Sequence, residues 1–273
     1  MDINLIIAFV LGLLIGSFLN VVIIRIPKQE SVVFGSSHCV RCNHKLQPWH
    51  NIPLFSWLFL RGKCAYCKTP ISIQYPVIEL LSALLFVVIA NKYGLTLPAL
   101  SIAMSFLMLL ALSVIDFKYK MVPDSLNLLA IFFAVCGAWS IEGVIHNFQN
   151  ALLFMGGFTL LRFVLSYYLT SSIFRAGLKT KTSWNKHYDR TPFIEAMGEG
   201  DIMVAATMGA LLGGELGLVA IFISALLALP IMILLLGRSA EEQRVPYVPF
   251  LAMATFIVFL YDSQIMNYIR ANY

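Results

Sequence analysis

The sequence predicts an all-α, polytopic membrane protein with about eight transmembrane helices and one polar loop domain near its N-terminus. Hydrophobic residues make up 59% of the 273 residues, and charged residues only 12%. A soluble domain usually carries about a quarter charged residues. Apolar runs close to the roughly 20 residues that cross a bilayer recur along the whole chain. The lipid bilayer is therefore the expected solvent of this chain.

The expected spans are residues 4–24, 75–91, 97–116, 125–141, 148–170, 201–214, 215–236 and 247–262. The first apolar run, Leu5 to Ile24, differs from a signal peptide because no basic n-region precedes it and no small-residue cleavage site follows it. We therefore expect it to be retained as a transmembrane helix. Several segments, notably the sixth, are shorter than a bilayer needs. A short span is tolerated where a helix end lines an aqueous site enclosed by protein.

The distribution of basic residues predicts the orientation. With the N-terminus outside, the loops after spans one, three, five and seven are cytoplasmic, and they hold every lysine and arginine except Lys92, Arg162 and Arg270. Cytoplasmic loops collect Lys and Arg, so both termini are expected outside. The same bias accounts for the net charge of +5, and no nucleic-acid partner is expected.

The polar loop 25–75 contains two Cys-x-x-Cys pairs, formed by Cys39, Cys42, Cys64 and Cys67. This spacing is typical of a tetrahedral zinc site with four thiolate ligands. We favour structural zinc over two disulfides because disulfides are rare in the cytoplasm, where the charge bias places the loop. A regulatory dithiol is a further alternative. Three nearby histidines are alternative ligands: His38, His44 and His50.

Two aspartates lie at ends of expected spans. Asp116 ends the third span, and Asp201 begins the sixth, directly after the glycines Gly198 and Gly200. A carboxylate in an apolar span is costly and usually functional. Each aspartate also has a plainer interpretation: Asp116 as a residue of the membrane boundary, and Asp201 as a helix cap. The two glycines are expected to let the backbone bend and a substrate strand approach closely.

The pair predicts more than either aspartate alone, because the orientation places both at the cytoplasmic end of the membrane. Two partly desolvated carboxylates from separate helices can share one proton. One then acts as general base on a water molecule while its protonated partner donates to a scissile carbonyl. The sequence therefore predicts an aspartate dyad that hydrolyses a peptide bond.

These motifs occur in an order that resembles the type IV prepilin peptidases, a branch of the Gly-x-Gly-Asp intramembrane aspartyl proteases. The matching segments are Gly16–Pro27, the four cysteines, Asn51–Trp57, Leu60–Cys64, Ile71–Glu79, Asp116 with Pro123–Asp124, and Gly198–Asp201. Together they cover nearly the whole chain. We interpret Asp124 itself as the N-cap of the fourth span, not as a catalytic residue.

The resemblance implies a multi-pass enzyme of the bacterial inner membrane that cuts the basic leader from pilin and pseudopilin precursors. Many members also methylate the new N-terminal amine with S-adenosylmethionine. By this resemblance, Asp116 and Asp201 are the catalytic pair, and the four cysteines are zinc ligands. The implied domains are the first helix (1–24), a cytoplasmic zinc-binding loop (25–75) that carries the methyltransferase residues, and a peptidase core (76–273).

The chain departs from the family pattern near the second motif. Met203 stands where the family often has lysine, and Glu199 adds a carboxylate between the two glycines. Glu199, together with Asp189 and Glu195, is expected to attract a basic leader. Two other functions compete with the peptidase: an ion-coupled transporter with relay aspartates, and a non-catalytic zinc-bearing scaffold for pilus or secretion assembly.

Overall fold

A computed structural model describes residues 2–33, 38–39, 41–175, 197–235 and 245–272. Over these residues the chain forms helices and no β-strand. The helices are α1 (Ile3–Arg25), α2 (Phe55–Phe59), α3 (Gln74–Tyr93), α4 (Leu97–Tyr119), α5 (Asp124–Cys136), α6 (Ile141–Arg175), α7 (Glu199–Leu235), α8 (Val248–Leu260) and α9 (Asp262–Asn272). Two short 3₁₀ turns, Ile26–Lys28 and Pro48–Asn51, lie in the loop between α1 and α3.

Local sequence signals explain where the central helices begin and end. α3 ends at Gly94, which adopts a positive φ of 71°, a conformation that glycine adopts readily. At the start of α4 the Thr96 hydroxyl caps the helix by accepting the N–H of Ala99 at 3.3 Å. α4 ends at Lys120, whose left-handed backbone turns the chain toward α5. α3, α4 and α5 thus form consecutive hairpins.

Small residues allow the helices to pack closely. α1 and α3 meet where Gly12 and Gly16 face Ser82 and Ala83; a Cβ on Gly12 would lie 2.6 Å from the Cα of Ala83. This Gly-x-x-x-Gly spacing is typical of close helix pairs in membranes. α4 lies at the centre of the bundle, and its largest fully buried side chains are Leu107, Leu109, Leu112 and Ile115.

Within the part of the chain that the structure describes, five helices are long and apolar enough to cross a membrane: α1 with the turn that follows it, α3, α4, α6 and α7. α8 and α9 are bent by 76° and make a sixth span if they are taken together, whereas α5 has only 13 residues. The sixth and seventh expected spans lie in α7, which consists of two helical segments separated at Gly213, where the backbone is not helical (φ of 77° and ψ of −173°). The all-α membrane fold is confirmed over the described residues, and the count of eight spans stays a prediction.

Candidate active site and metal centre

Asp116 lies in the last turn of α4, where its side chain is buried. Only 7% of the residue is exposed. Its Oδ2 accepts the backbone N–H of Val248, the first residue of α8, at 3.2 Å. The first N–H groups of a helix have no partner within that helix and carry partial positive charge, so they favour a carboxylate. Asp116 therefore joins the end of α4 to the start of α8.

Asp201 is the third residue of α7, and it lies close enough to Asp116 for their charges to interact. Its carboxylate accepts the backbone N–H of Gly198, just before the helix. This is the geometry of a capping-box carboxylate, which satisfies a free N–H at a helix start. The helix-cap interpretation and the pairing with Asp116 are therefore compatible.

Gly200 explains how the second motif reaches the first. A Cβ on Gly200 would lie 2.5 Å from the Cβ of Val122, in the connection between α4 and α5. No side chain fits there without displacing that connection. Gly198 and Gly200 are not among the residues with positive φ. Gly200 therefore serves a close approach between two chain segments, and this contact holds Asp201 beside the end of α4.

Glu199, the carboxylate between the two glycines, forms an ion pair with Arg162 of α6. Arg162 Nη1 lies 3.2 Å from Glu199 Oε1. Only 18% of the Arg162 side chain is exposed, against 81% for Glu199. The arginine compensates the extra carboxylate next to Asp201, and the glutamate gives the costly charge within α6 a partner. Asp189 and Glu195, the other acidic residues expected to attract a leader, lie outside the described residues, and Met203 is half-buried in α7.

Asp124 is the first residue of α5 and is exposed, with Pro123 at the N-cap position. The expected N-cap is therefore shifted by one residue, because the fixed φ of proline suits the start of the helix. A carboxylate in the first turn still stabilises the helix through its dipole.

The two Cys-x-x-Cys pairs fold into knuckles of the same shape. In the first, Asn43 has a positive φ and donates its N–H to the carbonyl of Cys39, while the N–H of Cys39 bonds the carbonyl of His44. Lys68, Cys64 and Thr69 make the matching contacts in the second knuckle. Isolated bridges close both: His38 with Lys45, and Lys63 with Pro70. A repeated knuckle places two sulfurs from each pair toward a common centre.

The four sulfurs are placed to bind a metal ion. All lie within 4.8 Å of one another, and the cysteines are free thiols. The sulfurs of Cys39 and Cys67 are 3.8 Å apart, which is about the edge of a tetrahedron with metal–sulfur bonds of about 2.3 Å. The hydroxyl and backbone N–H of Thr69 hydrogen-bond the Cys67 sulfur and lower the pKa of that thiol to about 6. His44 instead packs against Tyr66, with ring centroids 3.7 Å apart.

Glu79 attaches this loop to the helix bundle. It is buried in α3, and its Oε2 accepts the N–H of Leu54, in the loop, at 2.8 Å. Nearby, Asn20 of α1 donates to the carbonyl of Tyr75 and accepts from the side chain of Gln74. The sequence predicted neither Asn20 nor the Val248 N–H as site residues. A polar residue in an apolar span is the signal that could have identified Asn20. The N–H of Val248 could not be identified in this way, because every residue except proline has a backbone N–H.

The fold and these two sites define a class of protein: a multi-pass membrane protein with a carboxylate pair at helix ends and a cluster of four cysteines placed to bind a metal ion. The chain belongs to the type IV leader peptidase family. The family model described as "Type IV leader peptidase family" matches residues 103–233, and "Bacterial Peptidase A24 N-terminal domain" matches residues 10–93. Both aspartates fall in the first match, and the four cysteines fall in the second.

Curated relatives are similar over nearly the full length. The chain is 32% identical to the "Prepilin leader peptidase/N-methyltransferase" of Neisseria gonorrhoeae over 283 residues, covering 94% of this chain and 91% of the relative. Identity to the protein of the same name from Pseudomonas aeruginosa is also 32%, covering 93% and 89%. No solved structure matches the chain.

Proposed function

We propose that this protein removes the basic leader from type IV prepilin-like precursors and methylates the new N-terminal residue. The observation that carries the proposal is the convergence of Asp116 and Asp201 from two helices at one end of the bundle. The two curated relatives named above, similar over most of their length, are prepilin leader peptidases/N-methyltransferases.

The dyad supplies the two proton transfers that peptide hydrolysis needs. Asp116 and Asp201 share one proton, because two carboxylates so close do not readily ionise together. The ionised member takes a proton from the attacking water, and the protonated member donates to the carbonyl oxygen. In the Gly198–Asp201 segment, Gly200 packs against Val122 and Glu199 pairs with Arg162. These two contacts hold the carboxylate of Asp201 in place. Preorganised placement of this kind lowers the barrier to reaction.

The proposed orientation puts the active site at the cytoplasmic face of the bacterial inner membrane, with both termini outside. The proposed domains are residues 1–24, 25–75 and 76–273. The substrate is a single hydrophobic helix with a basic leader, which enters from the bilayer. Both aspartates lie at helix ends, which suits a substrate cut at the membrane surface better than an ion path through the midplane.

Zinc is the proposed metal of the four cysteines, and its role is structural. Four thiolates complete a tetrahedral shell and leave no position open for chemistry. S-adenosylmethionine supplies the methyl group when it is bound. No aspartate or glutamate occurs between residues 31 and 78, so this loop has no carboxylate of the kind that commonly binds a ribose hydroxyl.

The test is cleavage of model prepilins by the full-length protein in membranes, with and without S-adenosylmethionine. We expect loss of the leader and a mass increase of one methyl group on the new N-terminus only when the cofactor is present. The resemblance to prepilin peptidases implies that the leader is cut after a glycine, so a prepilin with valine in place of that glycine is the substrate control and should stay uncut. If the protein leaves several prepilins uncut, the scaffold function replaces the peptidase.

The contact of Gly200 with Val122 makes a sharp prediction. Gly200→Ala is expected to lower the rate of leader cleavage about 10- to 100-fold, because the added methyl group displaces the turn that carries Asp201. Gly156→Ala is the matched control: nothing lies within 4 Å of a Cβ at this position in α6. Cleavage rates are compared at equal protein level in membranes.

A second-site variant distinguishes steric displacement from general damage. Val122→Gly removes the atom that the new Cβ would meet, so Gly200→Ala with Val122→Gly should recover part of the lost rate. Full activity of Gly200→Ala alone would show that the contact does not position Asp201.

A further inference from the structure

The short helix α2 has two different faces. Phe55, Leu58 and Phe59 are spaced to share one side of the helix, and their exposed fractions are 54%, 62% and 84%. Trp57 lies on the other side, where its indole packs against Gly62 and its Nε1–H donates to the carbonyl of Ile71. α2 is therefore attached to the loop by Trp57 and presents three large apolar side chains outward. We call these three the α2 face.

The contact between Glu79 and Leu54 fixes how deep the α2 face lies relative to the bilayer. α3 has 20 residues and is about 30 Å long, which matches the hydrocarbon thickness of a bilayer. Its far end is marked by Tyr93, which packs against Trp139 with ring centroids 5.1 Å apart, as in an aromatic belt. Glu79 lies five residues, about 7.5 Å, inside the near end of the helix.

Leu54 directly precedes α2, and its backbone N–H donates to Oε2 of Glu79 at 2.8 Å. A glutamate side chain on a helix leans toward the N-terminus of that helix. The start of α2 is therefore level with the first turns of α3, at the boundary between headgroups and acyl chains. Interfacial helices bury their apolar faces at a depth of about 5–10 Å. The depth of α2 suits such a helix.

The positive charge of the loop favours anionic lipid, and not a basic peptide, as the partner of the α2 face. No acidic residue occurs from 31 to 78, and the same segment carries five basic residues, all of them exposed: Arg41, Lys45, Arg61, Lys63 and Lys68. A zinc ion with four thiolates has a net charge of −2, which still leaves the segment cationic. Basic residues beside an interfacial apolar face attract anionic headgroups. A basic leader would be repelled by the same charges.

We propose that the α2 face inserts into the headgroup boundary of the adjacent leaflet and that the basic residues beside it bind anionic phospholipid. The loop is thereby held against the membrane at two points, Glu79 and α2. In the orientation proposed above this is the cytoplasmic leaflet. The lipid contact itself requires neither leader cleavage nor methylation, so its test and the test of the proposed function fail separately.

The first experiment measures what touches the α2 face in the full-length protein. The photoreactive residue p-benzoylphenylalanine is incorporated at Phe59, or at Trp57 as the inward-facing control, and the protein is placed in nanodiscs of phosphatidylcholine and phosphatidylglycerol. We expect phospholipid adducts, identified by mass, at Phe59 and at least tenfold fewer at Trp57. Protein–protein adducts at Phe59, or equal lipid adducts at both sites, would overturn the proposal. Zinc content of each variant verifies that the loop is folded.

The second experiment tests the choice of lipid. Each basic residue near a membrane surface contributes about 1 kcal/mol of attraction to anionic lipid at low salt. The variant Arg61→Gln with Lys63→Gln removes two such residues and is therefore expected to lower the ratio of phosphatidylglycerol to phosphatidylcholine adducts at Phe59 about 30-fold. An unchanged ratio would show that the face meets lipid without selecting its charge, which contradicts the proposal.

Discussion

Asp116→Asn and Asp201→Asn are each expected to lower the rate of leader cleavage at least about 1,000-fold, with insertion into the membrane unchanged. General acid–base catalysis contributes about 10²- to 10⁴-fold, and an amide supplies neither proton transfer. Asparagine keeps an oxygen that can accept the N–H of Val248, so the junction of α4 with α8 should persist. The measurement is the initial rate on a model prepilin in membranes at matched protein level.

Asp124→Asn is the matched control for this pair of variants. Asp124 lies eight residues after Asp116 and is exposed at the start of α5, so its loss should change the rate less than twofold. The double variant Asp116→Asn with Asp201→Asn should be no slower than the slower single variant, because residues that act as one unit are not additive. A single variant that keeps a tenth of the wild-type rate would exclude the dyad.

Cys64→Ser is expected to reduce bound zinc from one ion per chain to less than about a tenth of an ion. Cys64 is the most buried of the four cysteines, at 3% exposure, and a serine hydroxyl is a poor replacement for a thiolate. Structural zinc contributes about 10–16 kcal/mol of binding energy, much of it coupled to folding of the site. The loop should therefore become sensitive to protease in the variant. Metal content and the rate of proteolysis are measured on purified protein.

Cys136→Ser supplies the control, since Cys136 ends α5 and does not belong to the cluster. It should keep one zinc ion per chain and wild-type resistance to protease. Treatment of the wild type with a chelator should reproduce the Cys64→Ser phenotype, and added zinc should reverse it. Wild-type protein that contains no zinc but two disulfides would refute the metal assignment.

The Arg162–Glu199 ion pair joins two residues that lie far apart in the sequence. Arg162 stands in α6 and Glu199 begins α7, so 37 residues separate them along the chain. A charge in an apolar span is costly, which makes Arg162 conspicuous in the sequence, but its position along the chain does not identify Glu199 as its partner. Only the packing of α6 against α7, which close contacts of Gly209 and Gly217 with Phe154 permit, brings the two charges together.

The membrane class, the main apolar helices and the cluster of four cysteines could all be predicted from the amino-acid sequence alone. Apolar runs place helices because a bilayer offers no partners to backbone groups, and four cysteines in two short pairs specify a metal site by their spacing alone. These are local properties of the chain. These local properties do not depend on how the helices pack.

Which distant segments contact one another depends on how the helices pack. Helix packing brings the N–H of Val248 to the carboxylate of Asp116 and Gly200 against Val122. It also joins the loop to α3 through the hydrogen bond between Leu54 and Glu79. Each contact joins segments far apart in the chain, through a backbone group or an absent side chain. Such contacts exist only once the helices are packed, because close packing fixes distances that residue identities alone leave open.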